Sequence, residues 1–427
     1  MSSTMLRLYA AGSNGRGQLG SADCDDHHTF VLVSEGLSIT KLACGANHTL
    51  ALLDTGELWA CGDATRGQLL RSESSDVFRR IAFNPASYGL DGYTISGIAA
   101  CWETTFISLT PITSFNSHPS EGSDVIVSFG ANDFGDRGVG PSPPIAEPTT
   151  ISFQNVEFPG IPTPHQIRVR ELATGPHHIV ASLDVWAAPH EAEPVSVLVG
   201  WGASRHGQLG SVPAAPTPKS KSQFRPGAHA THTIDKPIVI AVYRDEGSRP
   251  RRIAAGSQHT LVLHNSGRIT RFGSSRRGQL DIPKLFPNNE MNARQIGCTW
   301  MASLIASCDS LSGWRIDACG SSNHGQLGRG DNPSPGSVAL PAHATSTQFH
   351  QLASGSEHVL VHAGNEVWAW GWNEHGNLGI GHQEDVHTPV RVWPPEAEIG
   401  NEERVINVWA GCGTSWILIK CENPEGN

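Results

Sequence analysis

One nine-residue pattern, Gly12-Ser-Asn-Gly-Arg-Gly-Gln-Leu-Gly20, returns six more times in this chain of 427 residues. Copies start at Gly62, Gly130, Gly202, Gly273, Gly320 and Gly371, which spaces them 50, 68, 72, 71, 47 and 51 residues apart. A period near fifty with longer variants means that each copy is one supersecondary unit that buries its apolar face against its neighbours. A companion stretch precedes each later copy. The clearest runs from Leu42 through Gly45-Ala-Asn-His48-Thr-Leu-Ala-Leu-Leu53 and Asp54-Thr-Gly56 to Glu57-Leu-Trp-Ala-Cys61. Alternating apolar residues between Gly and Asp turns predict strand, turn, strand, turn, strand. Further companions begin at Ile98, Leu172, Ile253, Ile296, Leu352 and Val408, seven in all.

The two halves are out of phase at the ends. The chain opens on a glycine motif with no companion before it and closes on a companion with no motif after it. The fold class is therefore all-β, a seven-bladed β-propeller over residues 1–427. Its last blade takes inner strands from about 405–420 and outer strands from about 5–20, an arrangement that leaves few free sheet edges. The extra length falls at 111–123, 141–166, 187–195, 211–236, 281–292, 329–348 and 382–404, expected to be surface loops. Residues 211–236 are expected to be disordered, and Arg249-Pro-Arg-Arg252 to be the solvated start of a strand.

Composition narrows the function. A formal net charge of −10 disfavours a surface built for nucleic-acid phosphates, so no direct nucleic-acid binding is expected. Nine cysteines, an odd number without a Cys-x-x-Cys, suit reduced thiols and a cytoplasmic or nuclear location. No apolar run reaches the length of a membrane span, so no membrane association is expected. The glycine motif lacks the Lys-Ser/Thr of a phosphate loop and no helix is predicted after it. His48, His178, His259 and His358 hold one repeat position, which marks them as packing and hydrogen-bonding residues. His229 and His232 have metal-ligand spacing but no third ligand. No nucleophile or acid pair stands in a catalytic context, so an enzyme, a cofactor and a metal are not expected.

These motifs resemble the regulator-of-chromosome-condensation repeat, whose pattern Gly-x-x-His-Thr-Leu-Ala-Leu followed by Gly-x-Leu-Trp-x-x-Gly-x-x-x-x-Gly-Gln-Leu-Gly stands here almost unchanged. The irregular copies carry a narrower resemblance. Cys101-Trp-Glu-Thr-Thr105, Cys298-Thr-Trp-Met-Ala-Ser303, Ser354-Gly-Ser-Glu-His358, Trp368-Ala-Trp-Gly-Trp-Asn-Glu-His375 and Gly411-Cys-Gly-Thr-Ser-Trp416 are similar to the killer-toxin-insensitivity (alpha-tubulin suppressor) propellers. That resemblance implies a heterodimer with a small CSL-type zinc-finger protein. It also implies association with Elongator and a role in tRNA wobble-uridine modification and diphthamide biosynthesis. The broader family implies an alternative, guanine-nucleotide exchange on a Ran-type small GTPase. No basic residue precedes Arg7, so chromatin docking through a basic tail is not expected.

Residues that break the repeat are the candidates for partner contact. Trp102, Glu103, Trp300, Met301 and Glu357 lie in turns after first strands, on one face near the axis. Trp372, Glu374 and His375 follow the third strand of blade six. A tryptophan in a polar turn either packs, here as a plug in the central channel, or meets a partner. Trp416 holds the strand position of Leu50 and is expected in the core.

Overall fold

A computed structural model describes residues 4–422 apart from 113–121, 143–146, 162, 190, 192, 211–232, 287–291, 310–312, 347–348 and 396–402. Seven antiparallel sheets make a seven-bladed propeller. The innermost strands, in order, are Ile39–Cys44, Tyr93–Cys101, Gln166–Thr174, Pro250–Ala255, Ala293–Cys298, Phe349–Ser354 and Glu403–Ala410, which number blades one to seven. Second and third strands are mostly buried, as in His48–Leu53 and Leu58–Gly62 of blade one, whereas the third strand of blade four, Ile269–Gly273, is half-buried.

Blade seven closes the ring. Thr414–Glu422 pairs with Thr4–Gly12 over nine residues, and His27–Glu35 adds the outermost strand. The closure follows the predicted logic, but the second outer strand lies at 27–35 rather than within 5–20. Residues 14–20 form tight turns instead.

Several of the expected loops hold fourth strands: Thr149–Ile151, Gly336–Ser337 and Val386–Trp393, with Thr233–Tyr243 starting inside the segment expected to be disordered. The rest of that segment, 211–232, lies outside the described residues, as do His229 and His232. Ile282–Leu285 forms one helical turn directly after the fifth glycine motif, where no helix is predicted.

Repeated residues latch each blade to the next. His48, His178, His259 and His358 are buried, and each places Nε2 beside a hydroxyl of the following blade. The distances are 2.9 Å to Thr105, 3.0 Å to Thr260, 3.0 Å to Ser303 and 3.1 Å to Ser415. Three of these hydroxyls donate back to the motif glutamine carbonyls, Thr105 to Gln68, Thr260 to Gln208 and Ser303 to Gln279. A hydroxyl has one proton to give, so the network assigns Nε2–H as the donor from the imidazole. The same glutamines close their own turns by accepting from the backbone N–H two residues earlier, as Gln68 does from Arg66 and Gln208 from His206.

The glycine of Gly-x-x-His is required by this imidazole. A Cβ at Gly45, Gly175, Gly256 or Gly355 would stand 2.1, 2.5, 2.2 and 2.2 Å from the ring Cε1. Where the glycine is Cys101 or Thr299, the histidine position is Thr104 or Ala302. The irregular blades thus exchange one compensated pair for another, and their departure from the repeat has a packing reason.

At the opposite ends of the inner strands, all seven carry a register shift at the same place, for example between Val169 and Glu171 and between Pro250 and Arg252. The residue after the bulge reaches the next blade: Gln295 Oε1 accepts from Leu352 N–H at 2.9 Å and Gln351 Oε1 from Val408 N–H at 3.1 Å. Glu171 does the same with Ile253 N–H at 2.8 Å. Burial pushes its carboxyl up to about 7, against the pull of Arg252 and that N–H. A raised carboxyl stabilises the fold at low pH and loses that contribution as pH rises from about 4.5 through 7. Glu171→Gln keeps the acceptor without the charge. It is expected to raise the unfolding free energy by about 1–3 kcal/mol at pH 8 and to change little at pH 4, read from urea unfolding at both values.

Candidate interaction face

The seven inner turns lie on one face and are tied round the axis by backbone hydrogen bonds. Ala46 N–H donates to Trp102 O at 2.8 Å, Trp102 N–H to Pro176 O at 3.2 Å, Ser257 N–H to Trp300 O at 3.0 Å and Trp300 N–H to Ser356 O at 2.6 Å. Pro176 has no N–H, so it passes no such bond to blade four. The middle residues of these turns are Ala46, Trp102, Pro176, Ser257, Trp300, Ser356 and Cys412. Five are small or proline, and the two indoles of blades two and five fill the space those leave.

Trp102 and Trp300 meet over the axial channel with ring centroids 5.9 Å apart and planes at 42°. Both line that channel, about 270 Å³ in volume, so they cap it. Trp102 is nevertheless 36% exposed, so the cap is also surface. The plug is one of the two roles left open by the sequence, and part of it stays open to solvent. Cys44, Cys101, Cys298 and Cys412 line the channel below it, and burial pushes all four thiols up, Cys44 and Cys412 to about 12. They stay protonated and are poor nucleophiles.

The platform extends outward. His177 lies 5.9 Å from Trp102 and 4.2 Å from Phe134, which is also 36% exposed. Neither was singled out from the sequence, although Phe134 was a visible departure: other copies carry Arg or His at the fifth motif position. Glu103 meets Arg66 at 3.4 Å, and Arg66 is held on its other side by Asp133 at 2.9 Å. The Met301 thioether sits 3.7 Å from Ser257 Oγ, which fixes Met301 beside Trp300.

The remaining candidates divide. Glu357 turns into the joint between blades five and six, where Oε2 accepts from Gln326 Nε2 at 2.8 Å and Thr299 Oγ1 at 3.1 Å. Burial pushes its carboxyl up to about 7 despite these donors. His375 belongs to the repeat after all. Its Nδ1 is 2.6 Å from Asp26, whose other oxygen accepts from Asn14 N–H; His324 stands likewise 2.8 Å from Asp385, which accepts from Asn373 N–H. Trp372 lies between the two histidines, 6.5 Å from His324 and 5.3 Å from His375, and its backbone N–H donates to Glu357 O. Glu374 beside it is exposed. All eight candidates thus share one face, running from blade two across the axis to the rim of blade six. Among the described residues, no group of three or more His, Cys, Asp or Glu side chains is placed to hold a metal ion, and no helix is long and apolar enough to cross a membrane.

A seven-bladed ring closed by its own N-terminal strands, with Gly-x-x-His latches and Gly-Gln-Leu-Gly turns, is consistent with an RCC1-like propeller. The Regulator of chromosome condensation (RCC1) repeat matches residues 7–52, 39–68 and 365–418. Among known proteins it is 27% identical over 425 residues to the ultraviolet-B receptor UVR8 of Arabidopsis thaliana, covering 95% of this chain and 82% of the receptor. It is 26% identical over 454 residues to the secretion-regulating guanine nucleotide exchange factor of Bos taurus, covering 99% and 84%. Among solved structures, Prp20p of Saccharomyces cerevisiae superposes with a TM-score of 0.67 at 19% identity, over 98% of this chain and 92% of that one.

Proposed function

We propose that this propeller is a non-enzymatic scaffold whose inner-turn face docks a small CSL-type zinc-finger protein as a heterodimer. Through it the propeller would serve Elongator-dependent tRNA wobble-uridine modification and diphthamide biosynthesis. The observation that carries the docking face is the Trp102–Trp300 pair, fixed by backbone bonds of the turns yet partly open to solvent. Rigid, half-exposed aromatics bury large area at small entropic cost, which is why they dominate interface hot spots. The partner's identity rests on the resemblance of the irregular turns to the killer-toxin-insensitivity propellers.

Guanine-nucleotide exchange on a Ran-type small GTPase is the second reading, supported by the match to the bovine exchange factor along 99% of the chain. A binding assay with both purified candidates separates them. Binding of the CSL protein, weakened at least about thirtyfold in Trp102→Ala with Trp300→Ala, is the expected result, since a hot-spot truncation costs about 2 kcal/mol or more. Trp372→Ala with Glu374→Ala tests the rim in the same assay. Full binding by both double variants would sink this face, and capture of a nucleotide-free GTPase instead would favour exchange.

A further inference from the structure

The face opposite the inner turns carries a charge pattern unlike that of the whole chain. Its rim is made by the bulged residues of the inner strands, and on blades three to six these are Arg170, Arg251, Arg294 and His350. Arg170 is spoken for by Asp184. Arg249, adjacent in sequence, is drawn aside by Glu193 and Glu246 at 2.8 and 2.9 Å. Arg251, Arg252 and Arg294 instead line a groove of about 690 Å³ whose one carboxylate is Glu171, already engaged with Ile253 N–H. Ile296, Leu352 and Ile406 give the groove an apolar lining, and Ile406 is 39% exposed. A chain of net charge −10 thus concentrates three exposed arginines at one cleft, beside a small apolar patch.

We propose that this groove docks an acidic peptide segment of a partner protein, with an apolar side chain seated on Ile296 and Leu352 and carboxylates on Arg251, Arg252 and Arg294. Charge complementarity selects an anion, and guanidinium forks suit carboxylates. Most of the features a nucleic acid would need are already committed. The Trp314 ring is stacked on Phe349 at 4.6 Å, and the side-chain amides of Gln295 and Gln351 are bonded to backbone of neighbouring strands. The groove therefore offers no unstacked indole to hold a base, and of its three amides only that of Asn407 is left to read a base edge. It lies across the ring from the tryptophan platform, so a second partner could be held while the first is bound.

Fluorescence anisotropy of the full chain with a fluorescein-labelled peptide, Asp-Glu-Leu-Asp-Glu-Phe-Glu-Glu, tests this. Expected results are salt-sensitive binding that Arg251→Glu with Arg294→Glu weakens at least about tenfold and that Glu171→Gln strengthens, since it removes the carboxylate from the groove. Arg79→Glu with Arg80→Glu, exposed reversals on the outer strand of blade one, changes the net charge equally and should leave affinity within about twofold. Native circular dichroism of each variant confirms folding, and Glu171→Gln gives a readout in the opposite direction. The proposal is overturned if the peptide does not bind at low salt, or if its lysine-substituted form competes equally. It is also overturned if a labelled uridine oligonucleotide binds more tightly at the same arginines.

Discussion

Acidification from pH 6.5 to below 4 is expected to unfold this propeller cooperatively, and the four latch histidines are the reason. Burial pushes His48, His259 and His358 down to about 4 and His178 to about 3. A histidine whose folded value lies below its unfolded one, near 6.5, contributes its full stability above 6.5 and loses it as pH falls toward the folded value. Each latch loses about 1.4 kcal/mol per pH unit in that window. Glu171 and Glu357, both pushed up to about 7, act with the opposite sign and regain stability as pH falls from 7 to about 4.5. Two carboxyls offset about half of four histidines, which leaves a loss of roughly 5 kcal/mol between pH 6.5 and 4.5 and a steeper one below. That is comparable with the whole stability of many domains. His178→Gln keeps an N–H donor and cannot protonate, so its acid midpoint, followed by tryptophan fluorescence, should move to lower pH. An unchanged midpoint would remove the latch from the explanation.

Trp416→Ala is expected to cost about 3–5 kcal/mol, the range for emptying a buried aromatic site. Trp416 is fully buried in blade seven and stands edge-on, 6.0 Å from Phe78 of blade one. Its cluster joins Leu8 and Leu418 of blade seven to Leu42 and Ala51 of blade one. The cavity would therefore open at the joint where the two ends of the chain meet. Urea unfolding should show the loss, and limited proteolysis should cut near the closing strands sooner than in Trp370→Ala, whose cavity lies between blades five and six. A loss below about 1 kcal/mol would mean that the site collapses and that closure rests on the strand pairing alone.

The ring was legible in the sequence because the residues that build it repeat. Gly45, His48 and Gln68 do one job each in successive blades, and repetition is what separates a packing residue from a ligand. Fourth strands were not legible. They pair on one side, bury little and differ in each blade, from the two residues of Gly336–Ser337 to the eleven of Thr233–Tyr243. Two of them contain a proline, Pro237 and Pro389, which an edge strand tolerates and a sequence pattern counts against. His375 was mistaken for an exception because its partner, Asp26, comes from the other end of the chain. The Trp102–Trp300 contact was legible as two separate oddities on one face. That they touch depends on blades two and five projecting across a narrow axis, which no local pattern encodes. The basic groove depended likewise on the bulge that turns Arg251 and Arg294 to the same rim.

Blade seven has a consequence for how the protein is made. The strand Thr4–Gly12 emerges from the ribosome about 400 residues before its partner Thr414–Glu422. At about 5–20 residues per second, the early strand waits some 20–80 s with one hydrogen-bonding edge unmatched. Throughout that interval six blades can assemble as an open arc with a sticky edge at its leading end. The nascent chain is thus most prone to mispairing with a second copy just before Thr414–Glu422 is made, and any factor that shields Thr4–Gly12 during translation would act on yield without touching the stability of the completed ring.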